Sequence, residues 1–210
     1  MPELLELYNN YLDKGGLIFF ILSLLSIFSI TIIFYKLIFF TQIRKKNFIK
    51  IEERIQLGTS KKVFSNELQE NKNKNILFSM LYTLTSLSND KSLNVSEKKE
   101  KLKVIISEHI RKLDQFLPTL EIISNVSPLM GLLGTVIGMI NSFNKLEIGG
   151  SLVDPALLAG GIWTALLTTA VGLVVAIPAL VAHHFFEKKV LEFQQSMENF
   201  YVIFNSSKNE

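Results

Sequence analysis

Cysteine does not occur anywhere in this sequence of 210 residues, so disulfide staples and thiolate metal sites are excluded from the start. The chain also lacks a phosphate-cradling glycine loop, a nucleophile beside a base, and metal-ligand spacing. No enzyme and no cofactor are expected. The formal charge is only +3, and no basic cluster is interleaved with aromatics as a nucleic-acid surface requires. A further scarcity is local: several long runs carry no charged side chain at all.

Those runs account for much of the chain, which is 48% hydrophobic with a mean hydropathy of +0.30. A helix needs about 20 apolar residues to cross a bilayer, because lipid offers no partner to bare backbone groups. Three stretches qualify: 17–40, opening "LIFFILSLLSIFSITIIFY"; 120–143; and 155–182. The first is too long for a secretory signal, with no basic segment before it and no small-residue cleavage site after it, so it reads as a retained helix. The expected fold is all-α, a polytopic membrane protein with three transmembrane helices, the second and third long enough to extend into the cytoplasm.

Basic residues set the orientation. Arg44, Lys45, Lys46, Lys50 and Arg54 follow the first span, and His183, His184, Lys188 and Lys189 follow the third. Basic flanks stay on the cytoplasmic side. Residues 1–16 and the loop 144–154 are therefore expected in the periplasm, and 41–119 and 183–210 in the cytoplasm. Within 41–119, Asn94 and Ser96 supply an N-cap to an amphipathic run in which Leu102, Ile105, Ile106, Ile110, Leu113 and Leu117 recur at helical spacing. Polar patches at 58–62, 70–75 and 88–96 read as helix connections. Pro118 can kink a helix without ending it, so one helix is expected to run from 97 into the second span.

Small and polar residues recur along the second span at Ser124, Ser127, Gly131, Gly134, Thr135, Gly138 and Asn141, opposite Ile122, Val126, Leu129, Leu133, Val136 and Ile140. Lipid gives helices no hydrophobic reason to associate, so close approach through small residues must supply it. Asp154 and Pro155 cap the third span, where Gly160, Thr164, Thr168 and Gly172 stand four apart beside Gly161, Ala165, Thr169, Ala176 and Ala179. Ser23, Ser26 and Ser29 form a narrower edge on the first span, which is expected to face lipid. Taken singly, each threonine reads as a hydroxyl bonded to its own helix. Taken together, plain packing and a wetted pore wall both stay open. Trp163 lies too deep for an interfacial belt and reads as packing against another helix, and His109 reads as structural.

The segments "NVSPLMGLLGTVIGMINSF" and "LLAGGIWTALLTTAVGLVVAIPALVAHHFF" resemble the ExbB/TolQ/MotA family of ion-driven motor subunits, ExbB most closely, over residues 118–190. The resemblance implies a homopentamer in the bacterial inner membrane. Its second and third helices would line a pore around an ExbD-like single-span partner that supplies a membrane aspartate, and a TonB-like protein would take up the work. On this reading Thr135, Thr164, Thr168 and Thr169 line the ion pathway, and Gly131, Gly134, Gly138, Gly161 and Gly172 pack the pore helices. Thr164 stands in "GIWTAL" where many relatives carry glutamate. The ion is expected to be the proton, with sodium as the alternative. A TolQ-like role in envelope integrity and a non-conducting pentameric scaffold are the competing functions.

Overall fold

The structure, a computed structural model, describes residues 2–42, 68–69, 76–90, 92–149 and 155–206. Among them stand five helices and no strand: α1 (Pro2–Gln42), α2 (Ile76–Asn89), α3 (Val95–Asp114), α4 (Leu117–Gly149) and α5 (Pro155–Ser206). The patches at 58–62 and 70–75, and the capping residue Asp154, lie outside the described residues. Three segments are long and apolar enough to cross a membrane: Gly16–Thr41, Leu117–Ile148 and Leu158–Phe204. The all-α, three-span fold class expected from hydropathy is the one observed. With 33 residues in α4 and 52 in α5, at about 1.5 Å per residue, both outrun a hydrocarbon core of about 30 Å.

The chain divides into two compact units: Met1–Phe34 with Phe116–His184, and Tyr35–Gln115 with Phe185–Glu210. In the first unit α1 is broken at Gly16, whose φ of 61° and ψ of −156° no helix contains. Nothing stands within 4 Å of a Cβ placed there, so glycine is required by the backbone angle and not by space. Beyond the break, Ile18, Phe19, Leu22, Ser29 and Ile32 are buried, and Leu17, Leu24, Ile27 and Phe34 are exposed, as a lipid-facing helix requires.

In the second unit α2 packs against α3, and Lys98 donates to the Ser88 carbonyl at 3.0 Å. Asn94 caps α3 as expected. Its side chain accepts from the Glu97 N–H at 2.9 Å, and its own N–H donates to the Glu97 carboxylate at 2.8 Å. Such a reciprocal box is worth about 1 kcal/mol, so Asn94→Ala should lower the thermal midpoint and shorten α3, measured by circular dichroism. In the connection before it, the N–H and hydroxyl of Ser92 both donate to Asp90 and hold its carboxyl below the usual carboxylate range. His109 is buried with Nδ1 2.9 Å from the Ile105 carbonyl. Phe186, Phe193, Met197, Phe200 and Phe204 form the buried stripe of the C-terminal part of α5, with Phe40 stacked on Phe186 at 5.5 Å.

The single helix expected from 97 into the second span does not form. α3 stops at Asp114, Gln115 turns extended (φ −49°, ψ 132°), and Phe116 takes a left-handed φ of 69°. A new ladder begins where the Leu120 N–H donates to the Phe116 carbonyl at 3.2 Å. Pro118 thus sits in the first turn of α4, where its missing N–H would have had no partner in any case. It kinks nothing.

Candidate functional site: the α4–α5 helix pair

α4 and the first half of α5 lie antiparallel, and the sequence lets them come unusually close. A Cβ on Gly172 would fall 2.6 Å from the Ser127 carbonyl and 3.2 Å from the Gly131 Cα. A Cβ on Gly131 would fall 2.9 Å from both the Thr168 carbonyl and the Thr169 Cα. The Thr168 side chain occupies the notch that Gly134 leaves, Ala165 that of Gly138 (2.7 Å to the added Cβ), and Ser142 that of Gly161. All five glycines expected to pack these helices are therefore in the contact. Backbone meets backbone, which is how helices gain affinity where the hydrophobic effect is absent.

The threonines divide into three behaviours. Thr135 donates to the Leu132 carbonyl at 2.7 Å and Thr164 to the Gly160 carbonyl at 2.9 Å, each within its own helix. Thr168, 3% exposed, shares its hydroxyl between the Ala165 carbonyl at 2.7 Å and the Gly131 carbonyl across the pair at 3.1 Å. It is a knob that also cross-links. The Thr169 hydroxyl is buried and has no hydrogen-bond partner among the described residues. An unpartnered buried hydroxyl costs free energy, and such a group calls for a water, an ion or a group from another chain.

The packed stripe differs in register from the ladder of residues four apart. On α5 it runs Gly161, Ala165, Thr168, Gly172, Val175, Ala176 and Ala179, while Gly160 is exposed with nothing within 4 Å of an added Cβ. Four residues turn a helix about 400°, so a strict four-residue ladder drifts about 40° per step and leaves the face. Alternating threes and fours stay on it. The same drift puts Ser142, not Asn141, on the buried side of α4. Opposite the stripe, Ile122, Val126, Leu129, Leu133, Val136 and Ile140 are all exposed, as is Trp163 at 65%. His183 is buried, its Nδ1 3.1 Å from the Leu117 carbonyl, and anchors the start of α4.

One buried charge escaped the sequence reading. Lys36, 1% exposed, donates to the Leu113 carbonyl at 2.6 Å and lies 5.8 Å from the ring centres of Phe39 and Phe40. Leu113 is in the last turn of α3, whose carbonyls have no helical partner once the chain turns away. Lys36 supplies one, with Asp114 as countercharge. The signal was available: Lys36 is the only charged residue between Lys14 and Arg44. Lys36→Met should cost about 1–3 kcal/mol by orphaning that carbonyl. An unchanged thermal midpoint would show that the cap carries no weight.

Comparison with known proteins points one way. The profile of the "MotA/TolQ/ExbB proton channel family" matches residues 58–199. The chain is similar to an ExbB-like biopolymer transport protein of Synechocystis sp., 32% identical over 170 residues, which are 80% of this chain and 66% of that protein. It is also similar to the Tol-Pal system protein TolQ of Pseudomonas aeruginosa, 42% identical over 88 residues (42% of this chain, 38% of TolQ). The biopolymer transport protein ExbB of Salmonella typhimurium is 40% identical over 75 residues, 36% of this chain and 30% of that protein. The chain thus matches less than two thirds of the length of each.

Proposed function

The chain belongs to the MotA/TolQ/ExbB proton channel family, and from that premise we propose that it is an ExbB-like ion-conducting motor subunit of the bacterial inner membrane. It acts as a homopentamer around a single-span, ExbD-like partner, and passes work to a TonB-like protein. The N-terminus and the 144–154 loop are periplasmic, and 41–119 and 183–210 are cytoplasmic, following the basic residues beyond the first and third spans. Thr135, Thr164, Thr168 and Thr169 belong to the ion pathway.

The observation that carries this reading is the unpartnered Thr169 hydroxyl, on a helix pair that has no charged residue from 122 to 144 or from 155 to 182. An ion crossing such a pair meets uncharged polar groups only, hydroxyls, carbonyls and the amides of Asn125, Asn141 and Asn144 among them. The titrating acid has to come from the partner, because a charge held at bilayer depth is costly and no residue of these spans supplies one. One charge falling through about 100 mV releases about 2.3 kcal/mol, so several ions per cycle supply useful work. The exposed Trp163 and the exposed apolar face of α4 favour burial against neighbouring subunits or lipid over free solution. A TolQ-like role is the second reading, favoured by the 42% identity to TolQ.

The test is ion flux in liposomes carrying this protein with its co-purifying single-span partner. A proton gradient at fixed sodium should drive transport, and Thr135→Val with Thr169→Val should reduce flux to the leak of empty liposomes while the oligomer survives. Flux that follows a sodium gradient would replace the proton. Unchanged flux in the double valine would remove Thr135 and Thr169 from the pathway, and a parent protein with no flux above that leak would leave the non-conducting scaffold reading standing.

A further inference from the structure

Within the second unit, α3 and the C-terminal part of α5 enclose a groove of about 810 Å³. One rim is a basic ridge of Lys99, Lys103 and Arg111, with Ser107 between them. These residues stand at four-residue intervals on the exposed side of α3. The floor is aliphatic, formed by Leu102, Ile106 and Ile110. Gln194, Glu198 and Val202, again four apart, make the far rim.

Charge inside the groove does not balance. The Glu198 carboxylate accepts from the Gln194 amide at 3.1 Å, and Asp114 serves as countercharge to the buried Lys36. Lys99, Lys103 and Arg111 make no hydrogen bond or ion pair among the described residues, although Lys112 on the neighbouring side does, with Glu108 at 3.2 Å. With Asp114 committed to Lys36, three cations thus stand against the single carboxylate of Glu198, whose neutral amide partner leaves its charge in place, along about 18 Å of helix beside an apolar floor.

We propose that this groove is the docking site for an amphipathic helix of another protein, one that carries acidic side chains four residues apart beside an aliphatic stripe. A helix laid in the groove would present both features at the period of the groove itself. Charge complementarity would set register and orientation, and the aliphatic contact would supply most of the holding energy.

Full-length protein in nanodiscs should bind a fluorescein-labelled synthetic helix with glutamates at its first, fifth and thirteenth positions and leucines on the adjoining face, read as a saturable rise in anisotropy. Lys99→Glu, Lys103→Glu and Arg111→Glu together should weaken binding by about tenfold or more. The same triple variant should bind the matching helix with lysines in place of glutamates, which a misfolded variant would not. Equal binding of a helix of the same composition with scrambled spacing would overturn the proposal. So would displacement of the peptide by phosphatidylglycerol vesicles, which would make the ridge a lipid contact. Cross-linking between copies through Lys103→Cys in the assembled protein would reassign the groove to a subunit interface.

Discussion

Gly131→Val and Gly172→Val should each prevent α4 and α5 from pairing, with a loss of about 3 kcal/mol or more and little folded protein recovered. The size of the effect follows from what the new side chain meets. At Gly172 it meets the Ser127 carbonyl at 2.6 Å, and at Gly131 the Thr168 carbonyl and Thr169 Cα at 2.9 Å. These are backbone atoms of a regular helix and cannot swing aside as a side chain can. The helices must separate, and the Thr168-to-Gly131 hydrogen bond at 3.1 Å goes with the contact. Gly134→Ala is milder, because it presses on the Thr168 side chain. Gly160→Ala is the control: it meets nothing within 4 Å and should be neutral or stabilising by up to about 1 kcal/mol through helix propensity. Thermal unfolding in detergent orders the four variants. A Gly172→Val protein as stable as the parent would refute the close approach.

The second large effect separates neighbours in sequence. Thr168→Val removes a hydroxyl that serves two carbonyls, so it should lower stability by about 0.5–1.5 kcal/mol. Thr169→Val removes a buried hydroxyl that has no partner among the described residues, so stability should hold or rise by about 1 kcal/mol. Ion flux should nevertheless be abolished by Thr169→Val alone. Stability and transport are expected to move in opposite directions at that position, which a purely structural threonine cannot do. If Thr169→Val destabilises the chain as Thr168→Val does, the hydroxyl belongs to packing and the pathway assignment fails.

The three spans were legible because lipid permits only helices and closed barrels, and continuous apolar runs of about 20 residues select the helix without any tertiary information. The five packing glycines were legible for a related reason, since small residues every three or four positions have few other uses in a membrane. The division of labour among the threonines was not. Thr135, Thr164, Thr168 and Thr169 are the same residue type at similar depth, and only the angular position of each about its helix decides whether its hydroxyl turns inward. A drift of about 40° per four residues is enough to carry Gly160 off the face that holds Gly172. The break at Gln115–Phe116 was hidden for a different reason. The aliphatic period continues through Leu113 and Leu117 across it, and the residue that adopts the left-handed angle is phenylalanine, not the glycine that would have marked a turn. Lys36 lay in plain view, but its partner is a carbonyl 77 residues away.

That break changes what each helix can deliver mechanically. An α-helix resists torsion because each turn is tied to the next by hydrogen bonds, and the Gln115–Phe116 turn interrupts those ties between α3 and α4. Rotation imposed on α4 would therefore be absorbed as a change of two dihedral angles instead of being passed along the chain. α5 keeps its ladder for 52 residues, with Pro178 as the one interior proline. Of the two, α5 is the helix continuous enough to resist torsion along its length, and Pro178, which has no N–H to give, is the place where one tie of that ladder is missing.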